Sequence, residues 1–283
     1  MVWILTFTCT NFKIMKNYYL LLFITLFLSH AAFASTVDTI EVFSSSMNKN
    51  VKTVVIRPEN SKDKVIPTLY LLHGYGGDYS NWVNKVSYIK TLVERYNYMV
   101  VCPDGGVGSW YWDTTKDFQY ETFVSKELIN YIETKYKVCN HRTGRAITGL
   151  SMGGHGALYL AIKHQDIYGA VGSTAGGVDI RPFPNKWDMS KRLGEYAENP
   201  EKWNSHTVIN LLHLIKPGSL KIFIDCGTED FFFNVNQELN KKLTYLNIPH
   251  SYLTMPGKHN WDYWSQSICF QMAFFDQYFR NES

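Results

Sequence analysis

The chain has 283 residues, 45% of them apolar and 19% charged. That balance fits a packed globular core and excludes a disordered or fibrous chain. The formal charge of +3 falls to +1 without Lys13 and Lys16, which leaves no electrostatic case for binding nucleic acid or an anionic membrane surface.

The N-terminal segment reads as an export leader. Lys13 and Lys16 precede an apolar run at residues 18–28, and Ala32-Phe33-Ala34 closes it as an A-x-A cleavage signal. The run is well short of the ~20 residues a spanning helix needs, so a cleaved signal peptide is expected rather than a membrane anchor. Cleavage is expected after Ala34, giving a secreted or periplasmic chain. Met15 opens a compact leader by itself, so residues 1–14 read as an upstream start. The residue after Ala34 is Ser35, not the cysteine that a lipid anchor requires.

Beyond the leader, two strand-like runs at 37–43 and 51–57 lie close enough to pair as an antiparallel edge. Short buried-strand patterns follow at 68–72, 98–102, 146–148, 170–173, 220–225 and 251–255. Amphipathic helical patterns alternate with them at 82–96, 120–136, 153–164, 235–246 and 261–279. This alternation predicts an α/β fold, with a mainly parallel sheet carrying helices on both faces. Residues 177–218 break the rhythm with two tryptophans, several prolines and two short helical pieces. They read as an insertion over the top of the sheet. With no repeat, low-complexity tract or linker, residues 35–283 are expected to form one domain.

Cys9 lies in the leader, leaving Cys102, Cys139, Cys226 and Cys269. An exported chain permits disulfides, but one of this length buries enough core without them. Cys102 and Cys226 each end an apolar run, where a free thiol acts as a small hydrophobe. No obligatory disulfide is expected. Neither a CxxC pair nor a His/Cys cluster points to a metal site.

Three segments carry chemistry. Gly149-Leu150-Ser151-Met152-Gly153 follows the apolar run 146–148 and precedes a helical pattern, the context of a G-x-S-x-G nucleophile elbow. There the serine hydroxyl meets backbone N–H groups and the positive end of a helix dipole. His73-Gly74-Tyr75-Gly76-Gly77 ends the run 68–72 and offers the Tyr75 N–H, beside that of Met152, to a carbonyl oxygen becoming an oxyanion. His73 precedes the nucleophile in the chain, so it reads as an orienter of this loop. The third segment supplies an acid and a base: Asp225, Glu229 and Asp230 follow the apolar residues 220–224, and His259 follows the run 251–255. The chain order Ser, acid, His is the one this architecture uses. Loop position favours Asp230, with Asp225 a brace of the loop and Glu229 a third choice. His155 reads as a packed residue behind the serine, and the remaining histidines lie away from loop tips. Trp110, within the Gly108–Asp113 segment, Phe231 and Trp261 are candidates to line the substrate pocket. Trp187 and Trp203 of the insertion either cap that pocket or form the insertion's own small core.

The stretches LLHGYGG, DGGVGSWYWD, GLSMGGHGALYLA, DCGTEDFF and PGKHNWDYW together resemble the α/β-hydrolase esterase family that includes esterase D-like enzymes, tributyrin esterases, bacterial feruloyl esterases and mycolyltransferases. The likeness covers residues 66–279. It implies carboxylic ester hydrolysis without a cofactor or metal, the triad Ser151, Asp230 and His259, and oxyanion positions at Tyr75 and Met152. It further implies small-molecule or polysaccharide-linked esters as substrates, with feruloyl or acetyl groups among them. The leader argues against the cytosolic formylglutathione hydrolases of the family. An acyltransferase of the same fold keeps the same residues. A non-catalytic glycan binder is expected to have lost one of them, and none is missing.

Overall fold

The computed structural model describes residues 35–61 and 64–282. The leader expected over residues 1–34 lies outside the described residues. No helix among the described residues is long and apolar enough to cross a membrane.

Strands β1 (Thr36–Ser44), β2 (Lys49–Arg57), β3 (Thr68–Leu72), β4 (Met99–Pro103), β7 (Arg145–Gly149), β8 (Ala170–Thr174), β9 (Lys221–Gly227) and β10 (Ser251–Met255) form an eight-stranded sheet in the order β1-β2-β4-β3-β7-β8-β9-β10. β1 pairs antiparallel with β2, and β2 antiparallel with β4. The strands from β4 to β10 run parallel. The expected antiparallel edge is therefore present. A small antiparallel ribbon, β5 (Asp113–Thr115) with β6 (Phe118–Gln119), stands apart. Its strands are too short for an alternation to register in the sequence.

Side-chain alternation divides the core in two. Leu69, Leu71, Val100 and Ala146 face a cluster built with α1 (Asn81–Lys85), α2 (Ile89–Tyr96) and α8 (Trp261–Glu282). Tyr70, Leu72, Val101 and Ile147 face the other, built with α3 (Leu128–Lys135), α4 (Met152–Lys163) and α7 (Phe233–Tyr245). Both faces of the central strands are thus buried, and they read as continuous apolar runs for that reason.

Two expected helices differ in detail. The helix expected over 82–96 is broken between α1 and α2, around β-branched Val86 and Ser87, which hold a helix poorly. The helix expected over 120–136 contains a π-helical segment at Phe123–Glu127, a feature the 3.6-residue period does not distinguish. In the insertion, the two short helical pieces are α5 (Met189–Leu193) and α6 (Pro200–Ser205). The cysteines Cys102, Cys139, Cys226 and Cys269 are free.

Candidate active site

Ser151 occupies the turn between β7 and α4. Its φ of 56° and ψ of −116° are sparsely populated for a residue with a side chain, so the surrounding structure must hold it there. The flanking glycines explain how. A Cβ on Gly153 would stand 2.6 Å from the carbonyl oxygens of both Leu72 and His73, and one on Gly149 would stand 2.6 Å from Gly153 itself. Only bare backbone lets the elbow press against the end of β3. The Ser151 N–H donates to the Thr174 carbonyl at 2.9 Å, which fixes the turn to β8 as well. The hydroxyl is left at the N-terminus of α4, where backbone N–H groups lack helical partners.

The loop after β3 turns through Gly74–Gly77, closed by the Gly77 N–H on the Gly74 carbonyl at 3.0 Å. Gly76 sits at the position that demands a left-handed residue and has φ +71°. His73 pins this loop: its Nδ1–H donates to the Gly74 carbonyl at 2.8 Å, and its Nε2 accepts from the Gly105 N–H at 2.7 Å. Both ring nitrogens are spent on backbone. Among the described residues, no protein acceptor takes the N–H of Tyr75 or of Met152.

His259, after β10, reaches across to the serine. Its Nε2 lies 2.8 Å from Ser151 Oγ, and its Nδ1 lies 2.7 Å from Asp230 Oδ2. A carboxylate only accepts, so Nδ1 carries the proton and Nε2 is left as acceptor for the serine hydroxyl. Asp230 is held in turn, since its Oδ1 accepts the Phe232 N–H at 2.8 Å. Aromatic rings surround the imidazole: Phe231 at 4.2 Å, Trp264 edge-on at 5.0 Å and Phe232 edge-on at 5.4 Å between ring centres.

The other two acids stand elsewhere. Glu229 is exposed and lies 3.7 Å from Lys258. Asp225 is fully buried and accepts hydrogen bonds from Thr174 (3.0 Å), Tyr263 (3.1 Å), Ser267 (2.7 Å) and Gln271 (2.7 Å). Burial still pushes its carboxyl up to about 6, against the lowering effect of those donors. It ties β8 and β9 to α8. Gln271 also accepts from Thr148, two residues before the elbow's Leu150. His155 is buried behind the serine, donating from Nδ1 to the Gly177 carbonyl (2.8 Å) and accepting from Trp112 Nε1 (3.0 Å). Burial pulls it down to about 3, so it stays neutral.

The cleft above Ser151 measures ≈ 420 Å³ and is lined by Tyr75, Asn81, Trp187, Phe231, His259, Trp261 and Trp264, with Leu150 and the glycines of the β3 loop. Phe231 and Trp261, two of the sequence candidates for the substrate pocket, stand on its wall. Trp110 does not, which corrects that expectation. Its indole packs face to face with Trp112 at 5.6 Å and edge-on to His155 at 5.1 Å, and its Nε1 donates to the Trp187 carbonyl at 3.1 Å. It lies one layer behind the wall, and Trp187 takes the surface position. The insertion's two tryptophans therefore divide the roles open to them. Trp187 lines the cleft, whereas Trp203 is buried against Tyr196 and donates to the Gly194 carbonyl at 2.9 Å.

A largely parallel sheet flanked by helices on both faces, with a strained serine between a central strand and its helix, defines an α/β-hydrolase. Residues 44–275 match the family described as putative esterase, and the chain belongs to that family. It is 26% identical over 256 residues to an acetyl esterase of Caldicellulosiruptor saccharolyticus, covering 81% of this chain and 94% of that protein. A solved ferulic acid esterase superposes with a TM-score of 0.77 at 28% identity, covering 87% of this chain and 99% of that one. The chain is also 34% identical over 158 residues to the diacylglycerol acyltransferase/mycolyltransferase Ag85A of Mycobacterium leprae, covering 50% of this chain and 44% of that protein. With these relatives, the chain is a carboxylic ester hydrolase.

Proposed function

We propose that this esterase works through an acyl-enzyme, with Ser151 as nucleophile, His259 as general base and Asp230 as its orienter. The observation that carries the reading is the imidazole of His259 bridging Ser151 at 2.8 Å and Asp230 at 2.7 Å. Ser151 Oγ attacks the ester carbonyl carbon while Nε2 takes its proton. The carbonyl oxygen gathers charge between the N–H groups of Tyr75 and Met152. The tetrahedral species then expels the alcohol, which leaves with the proton from Nε2. Water repeats the sequence on the acyl-enzyme, releasing the acid and restoring the serine. Asp230 accepts the Nδ1–H throughout and stabilises the imidazolium at each passage.

The substrates proposed are feruloyl or acetyl esters of plant polysaccharide, or short-chain acyl esters. The similarity to an acetyl esterase and to a ferulic acid esterase supports them. Residues 35–283 are proposed as one catalytic domain with an insertion at 177–218, exported by a leader cleaved after Ala34. Ser151→Ala tests the chemistry: kcat on nitrophenyl acetate falls by at least ~10⁴-fold with the fold intact, and retained turnover removes the nucleophile. Parallel rates on methyl ferulate, acetylated xylan and tributyrin rank the substrates. N-terminal sequencing of exported protein, starting at Ser35, tests the leader.

The partial similarity to Ag85A favours acyl transfer as the second reading. A transferase partitions the acyl-enzyme to an added sugar alcohol in preference to water, and a hydrolase does not.

A further inference from the structure

The two hydrogen bonds on His259 hold its ring along one line, from Nδ1 to Nε2. Only the single bond at Nε2 opposes a swing of the ring about its Asp230 end, and such a swing takes the Nε2 lone pair off the serine. The faces of the imidazole therefore need packing. Two of the three rings around it are anchored in the interior: Phe232 and Trp264 are 1% and 8% exposed. The third, Phe231, has the closest ring centre, at 4.2 Å and 39°, yet it is 50% exposed. What backs it is Trp187, stacked against it at 5.6 Å and 19°.

Trp187 is itself tightly placed. Trp187 and Asp188 are consecutive residues with φ of 50° and 59°, a pair of left-handed conformations that costs energy and persists only where neighbours enforce it. The neighbours are present. The Trp187 carbonyl accepts from Trp110, its ring meets Phe183 at 5.6 Å and Phe232 at 5.2 Å, and Asp188 accepts from Tyr75 at 3.2 Å. The insertion thus holds an indole stacked against Phe231, which in turn lies against the imidazole.

We propose that Phe231 is a positioning residue for His259, and that Trp187 acts through it, so that the insertion sets the orientation of the base as well as walling the cleft. This rests on the reading of His259 as general base. An aromatic pair contributes through ring geometry beyond the area it buries, so a flat ring at 231 matters more than apolar bulk.

The test uses a small alkyl phosphonofluoridate, which bonds to Ser151 with loss of fluoride and carries no aromatic group for the cleft wall to grip. Phe231→Leu slows this reaction about tenfold and lowers kcat on nitrophenyl acetate by a similar factor, ~1.4 kcal/mol, with KM little changed. Phe231→Tyr restores both. Trp187→Ala slows the phosphonylation in the same direction, and the Trp187→Ala/Phe231→Leu double variant is no slower than Phe231→Leu alone, because one acts through the other. Thermal melts of each variant confirm folding. The proposal is overturned if Phe231→Leu raises KM alone and leaves phosphonylation unchanged, which makes the ring a substrate wall only. Additive effects in the double variant overturn the role of Trp187. Failure of the general-base reading is separately visible, because His259→Ala then reacts at the wild-type rate.

Discussion

Asp225→Asn isolates the buried carboxylate that ties β8 and β9 to α8. Burial raises its pKa from 3.8 to about 6, and at 1.36 kcal/mol per unit that rise corresponds to ~3 kcal/mol. Between these two values the folded protein keeps a proton that the unfolded chain has released. Raising the pH through the window therefore works against folding: the stabilisation is complete below ~4 and gone above ~6. Asparagine keeps the shape and does not titrate. The hydroxyls of Thr174 and Ser267 can rotate to meet its amide, and the Gln271 amide can flip. Urea unfolding of both proteins from about pH 4 to about pH 8 gives the two stabilities by linear extrapolation. Their difference moves toward the variant by ~3 kcal/mol over that range, most of it below pH ~6.5. The difference is the right observable because other groups also titrate in the window. A difference that stays flat, or that moves toward the wild type as pH rises, refutes the reasoning; the four donors then hold the anion better than water does.

His155 moves the opposite way. Its pKa is depressed from 6.5 to about 3 by burial, so the stability tied to its neutral form is present above ~6.5 and lost as pH falls toward ~3. His155→Gln flattens this acid-side loss, worth up to ~5 kcal/mol at 1.36 kcal/mol per unit, and melting temperatures between about pH 3 and pH 7 check it. Gly153→Ala places a methyl 2.6 Å from the Leu72 and His73 carbonyl oxygens. Overpacking of this kind costs ~1–3 kcal/mol and shifts the elbow, so both the melting temperature and the turnover of nitrophenyl acetate drop; wild-type values for both contradict the close-approach argument.

The sheet was legible because its strands are buried on both faces and read as apolar runs, and because the helices between them keep one period. The residues gathered above its edge were legible for a related reason. Ser151, Asp230 and His259 each stand within a few positions of a strand's carboxyl end, so strand detection nearly locates them. What was left with two roles, misplaced or missed has no period. Trp187 lies in the insertion, and its place on the cleft wall depends on left-handed backbone at 187 and 188, which no apolar pattern encodes. Trp110 was misplaced for the same reason. It and Tyr111 are also left-handed, with φ of 55° and 60°, so counting outward from the strand does not say which way the indole turns. Trp264 was missed because it shares helix α8 with core residues such as Tyr263 and Ile268, and the helical pattern does not separate a core position from a wall of the cleft.

The distance the base must cover shows why the loops after β9 and β10 are built as they are. β7 and β10 are separated by two strands, so their axes stand ~14 Å apart at ~4.8 Å per neighbour, too far for an imidazole rising straight from β10 to touch Ser151. Both loops instead lean back over the sheet together. β9 and β10 end level, with Met255 opposite Gly227. Beyond that point the Thr228 N–H donates to the Met255 carbonyl at 2.9 Å, and the Glu229 N–H to the Gly257 carbonyl at 2.9 Å. The pairing of the two strands thus continues into their loops. Asp230 and His259 are therefore carried as one unit, and a change that displaces either loop moves both. It follows that the Asp230–His259 bond should survive perturbations that lengthen the His259–Ser151 bond, since only the second crosses from this unit to the elbow.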